Sequence, residues 1–233
     1  SYKYDGNGNL IEHALWGDIT GKREGHIILK DGTPAKNCSD SITTKYTYNY
    51  DNLMESKQKS NGKKTFFTYY PGTSLLKDSF VFFNNIQKTR TFYSYDSNGT
   101  STETISDNGS SRHKEDLHSV TERHIQRIVP SKEEASRSLP KVIEEKYLDL
   151  SSNMEKLLSK TVHTYDKRGR ILRSDFFNAN NIISHSIYKH YDVKGRLVKE
   201  DDTRGKSSSS RYDDNGNIVY SKGQKGLETF YNY

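Results

Sequence analysis

Apolar and polar positions along this chain mix in short runs that turn residues interrupt. Ser-Ile-Tyr-Lys-His-Tyr (186–191) runs into Asp192, and Arg-Leu-Val-Lys-Glu (196–200) follows Gly195. Both runs read as strands joined by an Asp-x-x-Gly turn. A type I turn favours Asp at its first position, where the carboxylate accepts from backbone N–H groups further on, and Gly at its fourth. A Gly there with φ > 0 makes a G1 bulge, a common hairpin connection. The same signature recurs at Asp202–Gly205 and Asp18–Gly21, and Asn61-Gly62, Asn84-Asn85, Asn108-Gly109 and 178–181 carry other turn signals. Turns arrive roughly every 8–12 residues, the spacing of many short antiparallel strands. The chain runs out from Gly195, back from Gly205 and out again from Gly216, so one period holds two strands and two turns. These patterns predict an all-β array of stacked hairpins.

Within the array one phrase repeats. Tyr-Asp-x-x-Gly-(Asn/Arg)-(Leu/Ile) begins at Tyr4 (Asp5, Gly8), Tyr165 (Asp166, Gly169), Tyr191 (Asp192, Gly195) and Tyr212 (Asp213, Gly216). Two looser copies follow the Tyr-Asp pair elsewhere. Tyr50-Asp51 lacks the Gly, whereas Tyr95-Asp96 keeps Gly99 but continues with Thr and Ser. Tyr70, in "YYPGTSLLKD", reads as a decayed copy without the Asp. Residues 107–162 hold no clean copy. Within them "VPSKEEASRSLP" (129–140) reads as an exposed loop inserted between strands, and 151–158 as either a helical turn or a hairpin around Ser152-Asn153. Each repeat Tyr stands at a strand end, where its ring can pack on the neighbouring hairpin while the hydroxyl meets water or a backbone group. Such residues are expected to form a ladder along one sheet edge.

Composition sharpens this picture. Apolar residues make up 31% of the 233, below the roughly 45–50% of ordinary globular domains, yet 17 tyrosines are present. Disordered chains are poor in aromatics, so the composition points to thin sheets with an incompletely buried face. The net charge of +6 comes from interleaved signs, as in 112–146, which suits a solvated surface and not the contiguous basic groove of a nucleic-acid binder. Cys38 stands alone, so no internal disulfide forms. No apolar run reaches membrane-spanning length. Both ends read as cuts through a longer array, making residues 1–233 a fragment.

Candidate chemistry is sparse. "DGNGNL" and "DDNGNI" carry calcium-loop residue types but lack the Gly and Glu spacing of an EF-hand. His113, His118 and His124 are loosely spaced, and strand alternation sends His185 and His190 to opposite faces. A carboxylate repeated at every turn behaves as a structural element. No catalytic, cofactor or metal residue is assigned. Sequons at Asn37, Asn98 and Asn108 matter only in a eukaryotic secretory setting. Tyr-rich sheet faces with Arg and Lys offer a second function, an adhesin binding glycans or a host receptor.

The phrase, with starts at Tyr191, Tyr212 and Tyr233 in 21-residue steps, resembles the YD repeat of the RHS-repeat proteins. These comprise bacterial polymorphic toxins, the C component of insecticidal Tc toxins and, more distantly, the animal teneurins. The resemblance implies a curved, spiralling β-sheet strip forming a shell around a C-terminal effector of the same polypeptide. It further implies a bacterial protein, secreted or displayed at the cell surface, with secretion machinery as a further partner. The family's self-cleaving segment and toxin have no counterpart in these residues.

Overall fold

The computed structural model describes residues 1–16 and 41–233. The turn read at Asp18–Gly21, the Asn37 sequon and Cys38 lie outside the described residues. Within them the chain is an all-β strip of antiparallel hairpins, with one 3-10 turn at Glu134–Ser136. It divides into two compact units, Ser1–Tyr93 with Ile105–Thr121, and Ser94–Thr104 with Glu122–Tyr233.

In the first unit β1 (Tyr2–Tyr4), β2 (Leu10–Trp16), β3 (Ser41–Tyr48), β4 (Met54–Lys59), β5 (Lys63–Tyr69), β6 (Leu76–Phe83) and β7 (Ile86–Tyr95) form a meander, each strand antiparallel to the next. Strand β8 (Ser101–Asp107) gives its last residues to this unit and its first to the second. The second unit continues with β9 (Arg123–Pro130), β10 (Pro140–Asp149), β11 (Met154–Tyr165), β12 (Ile171–Phe177) and β13 (Ile183–Tyr191). Strands β14 (Leu197–Asp202), β15 (Ser207–Tyr212), β16 (Ile218–Lys222) and β17 (Glu228–Phe230) complete it. From β9 onward each strand again pairs antiparallel with its successor.

The inserted loop read at 129–140 and the open choice at 151–158 take definite forms. Pro130 ends β9, Pro140 begins β10, and the two prolines face each other in register. The intervening segment is anchored from inside: Ser131 and Ser136 are buried and their hydroxyls meet at 2.7 Å. Residues 151–153 form a hairpin turn with Asn153 at φ 53°, and β11 starts at Met154.

Little apolar surface is fully covered. Ala14, Phe80, Phe92, Ile105 and Val120 are the buried apolar side chains in the first unit, and Ile125 and Tyr220 in the second. Phe80 and Phe92 meet edge to face, with centroids 6.1 Å apart. Buried polar groups outnumber these apolar ones among the described residues, and a thin layer of that kind depends on hydrogen bonds being satisfied. The most demanding case is Arg90, which is fully buried beside Asp107.

Arg90 holds down the connection that follows β8. Its Nε pairs with Asp107, and one Nη donates to the second oxygen of that carboxylate at 3.3 Å. The remaining N–H groups reach backbone carbonyls of Ser111 and His113, each at 2.8 Å, and of Asp116 at 2.5 Å. All five donors of the guanidinium find acceptors. Asn108 closes the base of the same loop through a reciprocal pair with Thr121. Arg112 lies over the Phe80 ring.

Candidate functional site

The repeated turn has one geometry throughout. At Asp166 the backbone N–H donates to Arg170 O at 2.9 Å, and Gly169 N donates back to Asp166 O at 3.0 Å. Asp166 Oδ1 accepts from the backbone N–H groups of Arg168 (2.8 Å) and Arg170 (2.9 Å). The same pair of backbone bonds closes the turns that begin at Asp5, Asp96, Asp192 and Asp213. Asp202 uses it on the opposite side of the hairpins, and so do Asn178 and Gly223, where no Tyr-Asp pair occurs. The fourth residue is at positive φ in each case, from 58° at Asn181 to 92° at Gly216. Register shifts by one residue next to Tyr4, Tyr165, Tyr191 and Tyr212, the bulge that such a turn requires.

The looser copies sit differently from their letters. Tyr50 and Asp51 occupy the tip of their turn, and Tyr50 is fully exposed. The working positions are Tyr48, Asn49 and Asn52: Asn49 Oδ1 accepts from Asp51 N and Leu53 N, and Asn52 has φ 59°. Asn replaces both Asp and Gly because its amide oxygen accepts like a carboxylate and it tolerates the left-handed conformation. Likewise the strand-end tyrosine of the next copy is Tyr69, paired with Leu76, while Tyr70 begins the turn. Tyr69 follows Tyr48 by 21 residues, restoring the period that Tyr50 and Tyr70 obscure. Tyr95, Asp96 and Gly99 hold the standard turn, with Asp96 Oδ1 accepting from Asn98 N and Thr100 N.

The tyrosines join one copy to another through a specific bond. Tyr48 Oη donates to Leu10 O at 2.8 Å, and Tyr69 Oη to Met54 O at 2.9 Å. In the second unit Tyr165 reaches Pro140 O (2.6 Å), Tyr191 reaches Ile171 O (3.0 Å) and Tyr212 reaches Leu197 O (2.9 Å). Every acceptor is the first residue of the strand immediately before the tyrosine's own. A repeat Tyr therefore closes the open mouth of the hairpin that these two strands form, beside the turn of the preceding copy. The residue after Gly adds a second link. Arg170 pairs with Asp166 and lies 4.4 Å from the Tyr191 ring centre, and Arg196 pairs with Asp192 and lies 4.7 Å from that of Tyr212.

Those contacts set the acidity of the turns. Arg170 beside Asp166 holds its carboxyl at about 2, below the ordinary 3.8, and Arg204 does the same for Asp202, also at about 2. Asp5 and Asp213 are lowered chiefly by the Asn9 and Asn217 amides, and Asp192 chiefly by the Arg196 backbone N–H. Depressed carboxylates stabilise the folded chain above their unfolded pKa, because the unfolded chain takes up protons first as pH falls. The melting temperature is therefore expected to drop between about pH 4 and pH 2. Changing Asp166 and Asp202 to Asn should flatten that acid limb in a thermal melt series. An unchanged limb would detach these carboxylates from stability.

The other candidates are dispersed. His185 stacks on Phe176 with centroids 4.4 Å apart, while His190 Nε2 meets Asp201 at 3.1 Å. Among the described residues no group of three or more His, Cys, Asp or Glu side chains could hold a metal ion, and no helix is long and apolar enough to cross a membrane. The amide of the Asn108 sequon is engaged by Thr121.

No protein-family model matches the chain, and no curated protein matches it in sequence. Among solved structures it is similar to a chain of the Photorhabdus luminescens Tc holotoxin pore, at 11% identity and TM-score 0.43, over 99% of this chain and 14% of that one. A chain of a TcdB2-TccC3-TEV crystal structure gives 12% identity and 0.43, over 100% and 14%. A porin-like protein from Bacteroides uniformis gives 12% and 0.41, over 82% and 86%. The chain thus spans about a seventh of the two toxin chains it matches. At such values its own residues must carry the functional reading.

Two sets of residues escaped the sequence. Asn49, Asn52 and Tyr48 were findable by asking which side chains can do the work of Asp and Gly. Arg90 was not, since an Arg within "KTRTF" looks like any outward-facing strand residue.

Proposed function

We propose that this chain is a non-catalytic wall segment of an RHS/YD-repeat shell enclosing an effector domain of the same polypeptide. The observation that supports it is the series of tyrosine hydroxyls, each donating to the carbonyl that follows the turn of the preceding copy. This commits the motif to joining repeats: its carboxylates close turns, its tyrosines lock neighbours, and its arginines bridge the two. A wall built so can be lengthened by whole periods without new chemistry. Secretion or surface display of the full-length protein, and contact with a secretion apparatus, follow from the same reading.

Limited proteolysis of the full-length polypeptide tests it. An effector region that resists protease until the YD strip is unfolded, or until Tyr191 and Tyr212 are replaced by alanine, is the expected outcome. Immediate digestion of that region with the strip intact would overturn enclosure.

A further inference from the structure

Four arginines in the second unit lie over tyrosine rings, and three of them also hold an aspartate. Arg170 has Asp166, Arg196 has Asp192, and Arg173, over Tyr188, has Asp175 at 2.7 Å. The fourth is Arg211, centred 4.4 Å from Tyr220, its directly opposed partner on β16. Among the described residues Arg211 makes no side-chain hydrogen bond and no ion pair. No carboxylate pairs with it, although Glu228 lies close enough to feel its charge, and it borders an open pocket lined also by Ser209, Tyr212, Arg196 and Asp192.

We propose that this open pocket binds a carboxylate-bearing sugar, with Arg211 gripping the carboxylate. The guanidinium presents a planar fork that matches a carboxylate in bidentate fashion. Stacking on Tyr220, itself buried, holds the fork in place before any ligand arrives, so little side-chain freedom is lost on binding. Ser209 lies two residues along β15 on the same face, and its hydroxyl makes no hydrogen bond among the described residues. It can serve a sugar hydroxyl. Arg196 adds no net charge because Asp192 neutralises it, and the nearby Glu228 is already paired with Lys222, so Arg211 supplies the positive charge open to a ligand. One charge and a hydroxyl lining suit a single uronic acid unit better than a polyphosphate.

The test is calorimetric titration of the whole chain with galacturonate disaccharide. Neutral galactose disaccharide, inorganic phosphate and a short aspartate peptide serve as the other arms. The uronate should bind and the neutral sugar should not. Arg211→Met should weaken binding by about tenfold or more, as expected for losing a charge-assisted pair. Arg211→Lys should recover only part, because an ammonium cannot form the fork. Ser209→Ala should weaken the uronate by less, and a melting temperature near that of the unaltered chain in each variant keeps the comparison clean. Equal affinity for the neutral sugar, or undiminished binding by Arg211→Met, would overturn the site. Tighter binding of phosphate or of the aspartate peptide would overturn the assignment to an acidic sugar.

Discussion

Replacing Arg90 by alanine is expected to destabilise the chain by about 3–5 kcal/mol, the usual consequence of removing one partner of a buried ion pair. The side chains of Arg90 and Asp107 are both fully buried, so the alanine variant strands a carboxylate away from water. It also leaves the Ser111, His113 and Asp116 carbonyls without the donors that hold the 108–121 loop. On the scale of domains this size the melting temperature should fall by on the order of 10 °C. Arg90→Lys should do little better, since three donors on a point charge cannot replace five in a fixed fork. Pairing Arg90→Met with Asp107→Leu should recover part of the loss by removing the stranded charge, but the three carbonyls stay unsatisfied. Thermal melts with hydrogen exchange across residues 108–121 would show it. A melting temperature within about a degree of the unaltered chain would remove Arg90 from its role as anchor.

The second large effect is expected from changing Tyr165, Tyr191 and Tyr212 together to alanine. Each loses a hydroxyl bond, worth about 1 kcal/mol, and a half-buried ring, worth about 1–2 kcal/mol. Tyr191 and Tyr212 also lose the cations over their faces, Arg170 and Arg196. The corresponding triple phenylalanine keeps rings and cations, so it should lose only about 1 kcal/mol per site. The expected order of melting temperatures is therefore unaltered chain, phenylalanine, alanine, with the larger step between the last two. Sites that share a turn, as Tyr191 and Tyr212 do through residues 192–197, should fall short of additivity. If the alanine triple melted with the unaltered chain, the hydroxyl bonds would be incidental.

The hairpin array was legible because its determinants are local. Asp at the first position and Gly at the fourth close a turn from within five residues, and the flanking strands need only match in length. Local legibility has a limit that Tyr50 shows. Letter matching placed the motif on Tyr50-Asp51, two residues away from the tyrosine and asparagines that perform it. The turn selects an acceptor and a left-handed residue, and Asn49 and Asn52 meet both needs without spelling the motif. The segment 178–181 reads as a turn from its asparagines, yet only its backbone bonds give it the Asp-x-x-Gly geometry.

The all-β class, the hairpin succession and the turns that spell Asp-x-x-Gly were thus determined by the sequence alone, since each depends on residues a few positions apart. Tertiary structure decided the rest. Only folding brings Tyr191 to the carbonyl of Ile171, aligns Arg90 with carbonyls 21 to 26 residues along the chain, and leaves Arg211 over Tyr220 with no carboxylate in hydrogen-bond reach. These pairings depend on register across strands, and register is set jointly by the bulges and turns of several hairpins at once.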